Sequence, residues 1–310
     1  MLGGIFKDLR VSSRIFGASA FYLPPPNGIY NSIIWAFKSV FIAMQENLLF
    51  SSITPLINYS KFPFKFKRQR IGLWFTHKDG EFNTQELEAL NHVNTIFLHT
   101  SEFSKLFMGI TEANLVTVIG ALHPERFINE YSCGNKIVWV GTSNERKNPE
   151  LLFEIADVLR GNNFIMYGRG FEHSPYWERI LKLPNLQYIE LNEPLSSEHL
   201  KECKFYLLTS YIEGGPMPLL ETLAAGLIPI CPDVGFVREV YKFLELPFEL
   251  HNYDSATVIK LLDCYSEFEL DFKLLQKKTL MLNFDRLGQI INKSYEKIDS
   301  QDSEKISPQG

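Results

Sequence analysis

Glu213 and Glu221 stand eight residues apart in the stretch Tyr211-Ile-Glu-Gly-Gly-Pro-Met-Pro-Leu-Leu-Glu221. Just before them, Phe205-Tyr-Leu-Leu-Thr209 is a short run rich in aromatic and branched residues, which suits a strand buried on both faces. Glu213 then falls in the loop past the carboxyl end of that strand, the side on which open parallel sheets bind ligands. Gly214 and Gly215 allow a tight turn and close backbone approach, and Pro216 or Pro218 fits the first turn of a following helix. The start of such a helix offers unpaired N–H groups and a positive dipole end, suited to a diphosphate. Glu221 lies about one turn into the helix, where its carboxylate can accept hydrogen bonds from sugar or ribose hydroxyls. Gly226 is placed to end the helix. Taken singly, Glu213 reads equally as a surface loop acid and Glu221 as an exposed helix acid favoured by the dipole. It is the whole string that points to a phosphorylated ligand.

The elements that must position this stretch alternate between strand and helix. Ile71 to Thr76 is an apolar run ending in His77, Asn83 to His92 is helical with Leu87 and Leu90 on one face, and Thr95 to His99 is the next strand. Glu102 to Gly109 reads as a helix and Val116 to Ile119 as a linker strand, after which the pattern resumes at Ile137 and continues through Glu239. The fold class is α/β, with parallel sheets covered by helices on both faces and two Rossmann-like halves meeting near residues 120 to 135. From Tyr253 to Tyr295 the spacing is helical, with Val258, Leu261, Leu262 and Tyr265, then Leu274, Leu275, Leu280, Leu282, Leu287, Ile290 and Ile291. Residues 299–310 are polar and read as a disordered tail.

Composition narrows the function classes. A chain of 310 residues allows two domains of ordinary size, and a net charge of -5 argues against a nucleic-acid partner. Cys133, Cys203, Cys231 and Cys264 are scattered without metal-ligand spacing, so they read as reduced thiols of a cytoplasmic protein. The most apolar stretch, Ile29 to Met44, is interrupted by Asn31, Ser32, Lys38 and Ser39, and is too short and polar to span a membrane.

The string Glu213-GGPMPLL-Glu221 followed by TLAAGLIP resembles the signature of the GT-B glycosyltransferases of group 1, retaining enzymes that use nucleotide-sugar donors. Ile137-Val-Trp-Val-Gly-Thr-Ser-Asn-Glu-Arg-Lys-Asn-Pro149 looks like the first strand and phosphate-contacting loop of that family's C-terminal domain, and Asn163 to Gly170 like its second strand. The resemblance implies two Rossmann-like domains facing across a cleft, with the N-terminal one shortened here. It places an acceptor-side domain at 1–125, a nucleotide-sugar domain at 126–270, and a helix at 271–298 that packs back on the N-terminal domain.

The same resemblance assigns roles. Glu213, His77 and Lys147 are the expected catalytic residues, with His77 facing the donor sugar and Lys78 and Asp79 as adjacent alternatives. Gly141, Thr142, Arg146, Lys147, Gly214, Gly215, Pro216, Met217, Glu221 and Glu239 are expected to contact the donor. The family usually has an arginine where Thr142 stands, and Arg146 is the candidate to supply that charge. Glu239 resembles a Gly-Gly-x-x-Glu element, with Val234 in place of the first glycine, and equally reads as a helix acid. Tyr188 to Glu193 stands where backbone groups hold the base. His99, His123 and His173 are lesser candidates.

No cofactor and no metal are expected, because lysine, arginine and helix-end amides already supply positive charge and no Asp-x-Asp motif is present. The partners implied are a nucleotide-sugar donor and a glycan, lipid-linked or small-molecule acceptor. The run Lys61-Phe-Pro-Phe-Lys-Phe-Lys-Arg-Gln-Arg70 could touch anionic lipid or a lipid-linked acceptor at the cytoplasmic face of a membrane, or form a solvated basic edge leading into a strand. Two other classes share the architecture: a non-catalytic nucleotide-sugar-binding scaffold, and a GT-B phosphorylase or nucleotide-sugar epimerase.

Overall fold

The computed structural model describes residues 47–60, 69–76, 80–128, 134–268 and 271–306. The chain divides into two compact units, one of Met1–Val118 with Leu287–Gly310 and the other of Ile119–Arg286. The first division thus falls seven residues before the expected one at 125 and the second beyond 270.

In the first unit β1 (Asn47–Phe50), α1 (Ile53–Ser60), β2 (Arg70–Phe75), α2 (Thr84–Leu90), β3 (Thr95–Leu98), α3 (Ser104–Phe107) and β4 (Asn114–Thr117) follow in order. The strands form a parallel sheet in the order β1-β2-β3-β4. Every position of β3 is buried, as expected of a strand covered on both faces. Helix α2 begins with a capping box, in which Asn83 Oδ1 accepts from the Glu86 N–H at 3.0 Å and Glu86 Oε2 accepts from the Asn83 N–H at 2.8 Å. Its buried stripe is therefore Glu86, Ala89 and Leu90, and Leu87, expected on that face, is 37% exposed. The expected linker strand at Val116 to Ile119 is instead β4, paired in register with β3. Its positions are exposed or half-buried; ladder pairing at the sheet edge rather than burial makes it a strand.

The second unit contains β5 (Lys136–Thr142), α4 (Pro149–Val158), β6 (Phe164–Arg169), α5 (Trp177–Lys182), β7 (Leu186–Glu190), α6 (Ser197–Leu200), β8 (Cys203–Leu207), α7 (Met217–Ala224), β9 (Ile228–Ile230), α8 (Val237–Leu244), α9 (Ser255–Cys264), α10 (Phe272–Leu280) and the start of α11 (Phe284–Ile306). Its strands are parallel in the order β7-β6-β5-β8-β9. The order runs outward in one direction from β5 to β7 and in the other from β8 to β9. The topological switch point, where a doubly wound sheet opens a ligand crevice, lies between β5 and β8. The core beneath it includes Ile137, Val138 and Trp139 of β5 and Leu219, Leu220 and Leu223 of α7.

Helix α11 continues to Ile306, eight residues into the expected tail at 299–310. Once a helix is nucleated, each added residue gains a backbone hydrogen bond, so a polar composition does not end it. Upstream, the Tyr295 hydroxyl donates to the Leu48 carbonyl at 2.8 Å and lies where a side chain on Gly72 would stand. No helix among the described residues is long and apolar enough to cross a membrane. Cys203 and Cys231 are buried thiols and Cys264 is an exposed one, none of them in a disulfide; Cys133 and Ile29 to Met44 lie outside the described residues.

Candidate functional site

Lys147 and Glu213 come together at the switch point. Lys147 closes a 3-10 turn, Glu145–Lys147, that leaves β5, and Glu213 lies in the segment leaving β8. The turn is set locally: Asn144 Oδ1 accepts from the Arg146 N–H at 2.9 Å, and the Asn144 carbonyl accepts from the Lys147 N–H at 2.8 Å. Asn148 then takes a left-handed conformation, φ 47°, which asparagine tolerates better than most residues, and hands the chain to Pro149 at the start of α4.

The two segments are laced together. Trp139 Nε1 donates to Thr209 Oγ1 at 2.8 Å, Thr209 Oγ1 donates to the Lys147 carbonyl at 2.7 Å, and the Tyr211 N–H donates to the Arg146 carbonyl at 3.0 Å. Within this frame Lys147 Nζ donates to Glu213 Oε1, and Arg146 Nη1 donates to Glu213 Oε2 at 2.9 Å and to the Ile212 carbonyl. Lys147 is 1% exposed and Glu213 3%.

Such burial is tolerable only because the charges satisfy one another. Burial alone would raise the Glu213 carboxyl. The charge and hydrogen bond of Lys147, a hydrogen bond with Ser210 and the charge of Arg146 reverse that and hold it below its ordinary value. Burial pushes the Lys147 ammonium down, opposed by Glu213. With Glu213 ionised and both cations protonated, the trio carries a net positive charge.

Both Glu213 oxygens are thus engaged with cations. The Glu213 carboxylate is the counterion of the buried Lys147 ammonium.

Neither Gly214 nor Gly215 is among the positive-φ glycines; the left-handed glycine at this site is Gly235, φ 55°. A Cβ on Gly235 would lie 2.9 Å from the Gly214 carbonyl oxygen and 3.0 Å from that of Glu213. Only a glycine there lets the α8 entry press against the Glu213 loop. Among the described residues the amides of Gly214, Gly215 and Met217 donate to no protein group, whereas the Leu219 N–H is bonded to the Pro216 carbonyl at 2.9 Å. Pro216 and Pro218 have no N–H. Three amides and the dipole of α7 therefore remain to face an anion. Gly226, φ 85°, follows the Ala225 C-cap as expected.

Glu221 is half-buried on the second turn of α7. It acts with Glu213 on the phenol of Tyr206, which burial, then Cys231 and the two carboxylates, push well above its ordinary value. Glu239 is half-buried in the first turn of α8, where an acid favours the dipole. Gly141 and Thr142 end β5; Thr142 is exposed and pairs in register with Arg169 of β6. His77, Lys78, Asp79 and residues 61–68 lie outside the described residues. Arg70, the last of that basic run, begins β2 and donates from Nη1 to Asn47 Oδ1 at 3.0 Å.

The lesser histidines are placed as follows. His99 accepts from Trp74 Nε1 at Nε2, 3.1 Å, and bonds through Nδ1 to the Val118 carbonyl, 3.3 Å; burial lowers its pKa to about 4, so it is a neutral structural group. His123 Nδ1 faces Glu125 Oε1 at 2.9 Å, and His173 is exposed.

Two supporting residues had no local sequence signal. His251 Nε2 donates to the Leu208 carbonyl at 2.8 Å, while its Nδ1 accepts from the Tyr253 N–H at 3.1 Å. Tyr253 takes φ 66° and sends its hydroxyl to the Ser210 carbonyl at 3.1 Å. An isolated bridge between Pro232 and His251 brings this segment alongside. Only that long-range return reveals the role.

Residues 125–257 match the family model described as glycosyl transferases group 1. At the level of sequence, no curated protein matches the chain. Among solved structures, the trehalose-6-phosphate phosphatase N-terminal domain of Candida albicans is similar with a TM-score of 0.64 at 13% identity, over 89% of this chain and 76% of that one. The pneumococcal O-GlcNAc transferase GtfA, solved in complex with UDP and GlcNAc, gives 0.61 at 16% identity, over 86% of this chain and 59% of that one. Sucrose-phosphate synthase from Thermosynechococcus elongatus gives 0.62 at 13% identity, over 90% and 81%. At these identities the likeness is one of fold. Over residues 125–257, which hold the Lys147–Glu213 pair, the chain carries the group 1 glycosyl transferase pattern, and its fold is GT-B, built of Rossmann-like units.

Proposed function

We propose that the protein is a retaining glycosyltransferase that moves a sugar from a UDP- or GDP-sugar to a glycan, lipid-linked or small-molecule acceptor without a metal ion. The observation that carries this reading is the buried Lys147–Glu213 pair with the half-buried Arg146 at the switch point, beside the amides of Gly214, Gly215 and Met217. Breaking the bond between the anomeric carbon and the diphosphate oxygen builds negative charge on the leaving group, and fixed cations and amides aimed there stabilise it. The acceptor oxygen bonds to that carbon on the face the diphosphate leaves, and its proton passes to the departing phosphate oxygen.

In this scheme Lys147 and Arg146 hold the diphosphate, and Glu213 keeps Lys147 charged. Glu221 holds the ribose, Glu239 and Met217 border the donor, and His77 addresses the sugar. The setting we propose is cytoplasmic, with residues 61–70 meeting a membrane surface when the acceptor is lipid-linked. The test is incubation of the full chain with UDP- and GDP-sugars, following thermal stabilisation, hydrolysis and transfer. Transfer or slow donor hydrolysis that is lost in Glu213→Gln supports the reading. Binding without turnover would indicate a scaffold and an epimeric product an epimerase; an absence of binding to any nucleotide sugar would overturn it.

A further inference from the structure

Arg169 ends β6 at the carboxyl edge of the sheet, between Gly168 and Gly170, and is exposed. Among the described residues its side chain makes one hydrogen bond, from Nε to the Leu191 carbonyl just past the end of β7. Among the described residues its two terminal nitrogens donate to no protein group, and no carboxylate pairs with it. In the same unit Arg146, Arg160, Arg179 and Arg238 each pair with an acid, namely Glu213, Asp157, Glu150 and Asp233. Among the described residues Arg169 is thus oriented by a carbonyl and neutralised by no acid.

Its position sets what it can meet. The diphosphate cradle lies at the β5–β8 switch point, β6 is one strand beyond β5, and the Nε contact draws the guanidinium on toward β7. At about 4.8 Å per strand this is some 10 Å from the segment that carries Glu213. In doubly wound sheets the ligand lies in the crevice outside the carboxyl ends of the strands at the switch point, so a nucleotide whose diphosphate sits between β5 and β8 can extend its base along those ends toward β6 and β7. A guanidinium has donors only, and with Nε committed the remaining Nη pair is a fork that needs two neighbouring acceptors. Guanine offers O6 and N7 side by side, adenine sets an amino donor beside N7, and a uracil-type edge offers O4 alone.

We propose that Arg169 reads the base of the donor and selects guanine, making the donor a GDP-sugar. This rests on the nucleotide-sugar reading above and narrows it. The experiment is calorimetric titration of the full chain with GDP, UDP and ADP, in the wild type, Arg169→Ala and Arg169→Lys. The wild type is expected to bind GDP at least about tenfold tighter than UDP or ADP. Both variants should lose that preference, because lysine keeps the charge but lacks the fork, while their UDP affinity stays within about twofold of the wild type. The lysine variant also guards against a folding defect in the alanine one. Binding of all three nucleotides without a guanine preference would overturn the assignment of Arg169 and leave the nucleotide-sugar reading standing. So would an equal loss for all three in both variants. Binding of none of them would overturn both.

Discussion

The Lys147 ammonium and the Glu213 carboxylate meet inside the protein although they leave two different strands, β5 and β8, and lie 66 residues apart. Each is the other's condition for being charged there. Removing one partner of a buried pair strands the other, at a typical cost of about 3–5 kcal/mol. Lys147→Ala is therefore expected to destabilise the protein strongly in a denaturation measurement. The double change Lys147→Met with Glu213→Leu should recover much of the stability and none of the nucleotide binding.

The same pair predicts a pH dependence. Because the Glu213 carboxyl is held below its ordinary value, its stabilisation is fully present above the usual carboxylate range and is lost as pH falls through the depressed value. Glu213→Gln acts in the other direction. It removes the charge that opposes the burial-driven lowering of Lys147, so the ammonium needed for diphosphate discharges at a lower pH than in the wild type. Nucleoside-diphosphate affinity in this variant should decline as pH rises, over a range where the wild type is flat. A parallel profile for the two proteins would show that Glu213 does not set the charge of Lys147.

Gly235 has two reasons to be glycine, its φ of 55° and its approach to the Gly214 and Glu213 carbonyl oxygens. Gly235→Ala is expected to cost about 1–2 kcal/mol for the left-handed backbone alone. The added methyl must also push the Glu213 loop away. Donor binding should fall by more than the stability change suggests, whereas Gly161→Ala, where a Cβ meets nothing within 4 Å, should leave binding unchanged.

His251 and Tyr253 brace the same loop from behind. Tyr253→Phe deletes the hydroxyl that donates to the Ser210 carbonyl, a loss of about 0.5–1.5 kcal/mol. The effect expected in steady-state kinetics is a raised donor KM from a looser Glu213 segment. His251→Ala leaves the Leu208 carbonyl and the Tyr253 N–H without their partner, so a larger loss of stability accompanies it.

The candidate site was largely legible because its parts are local in sequence. An apolar run followed by acid, glycines, prolines and a second acid can only be a strand end, loop and helix start, and β8, α7 and Gly226 fall there. The basic turn at Arg146 and Lys147 was legible for the same reason. Strand edges were less so. Val116 carries no burial signal that separates a sheet-edge strand from a linker, because its place depends on pairing with Phe97. His251 and Tyr253 depend on a return of the chain to Pro232, which no short spacing encodes. The engagement of both Glu213 oxygens by cations was hidden too, since it needs the β5 and β8 loops side by side.

His99 gives a prediction for the other unit, separate from donor chemistry. Its ring is neutral, with Nε2 accepting from Trp74 and Nδ1 bonded to the Val118 carbonyl, and burial lowers its pKa from 6.5 to about 4. The unfolded chain therefore takes up this proton near pH 6.5 while the folded one resists until about pH 4. Stability from this group is complete above the unfolded value and is lost as pH falls toward the folded one, by roughly 3 kcal/mol in all. Denaturation of the wild type across that range should show the loss. His99→Gln, whose amide can accept from Trp74 and donate to Val118 without titrating, should flatten this part of the profile. An unchanged slope in the variant would mean that the proton is taken up elsewhere.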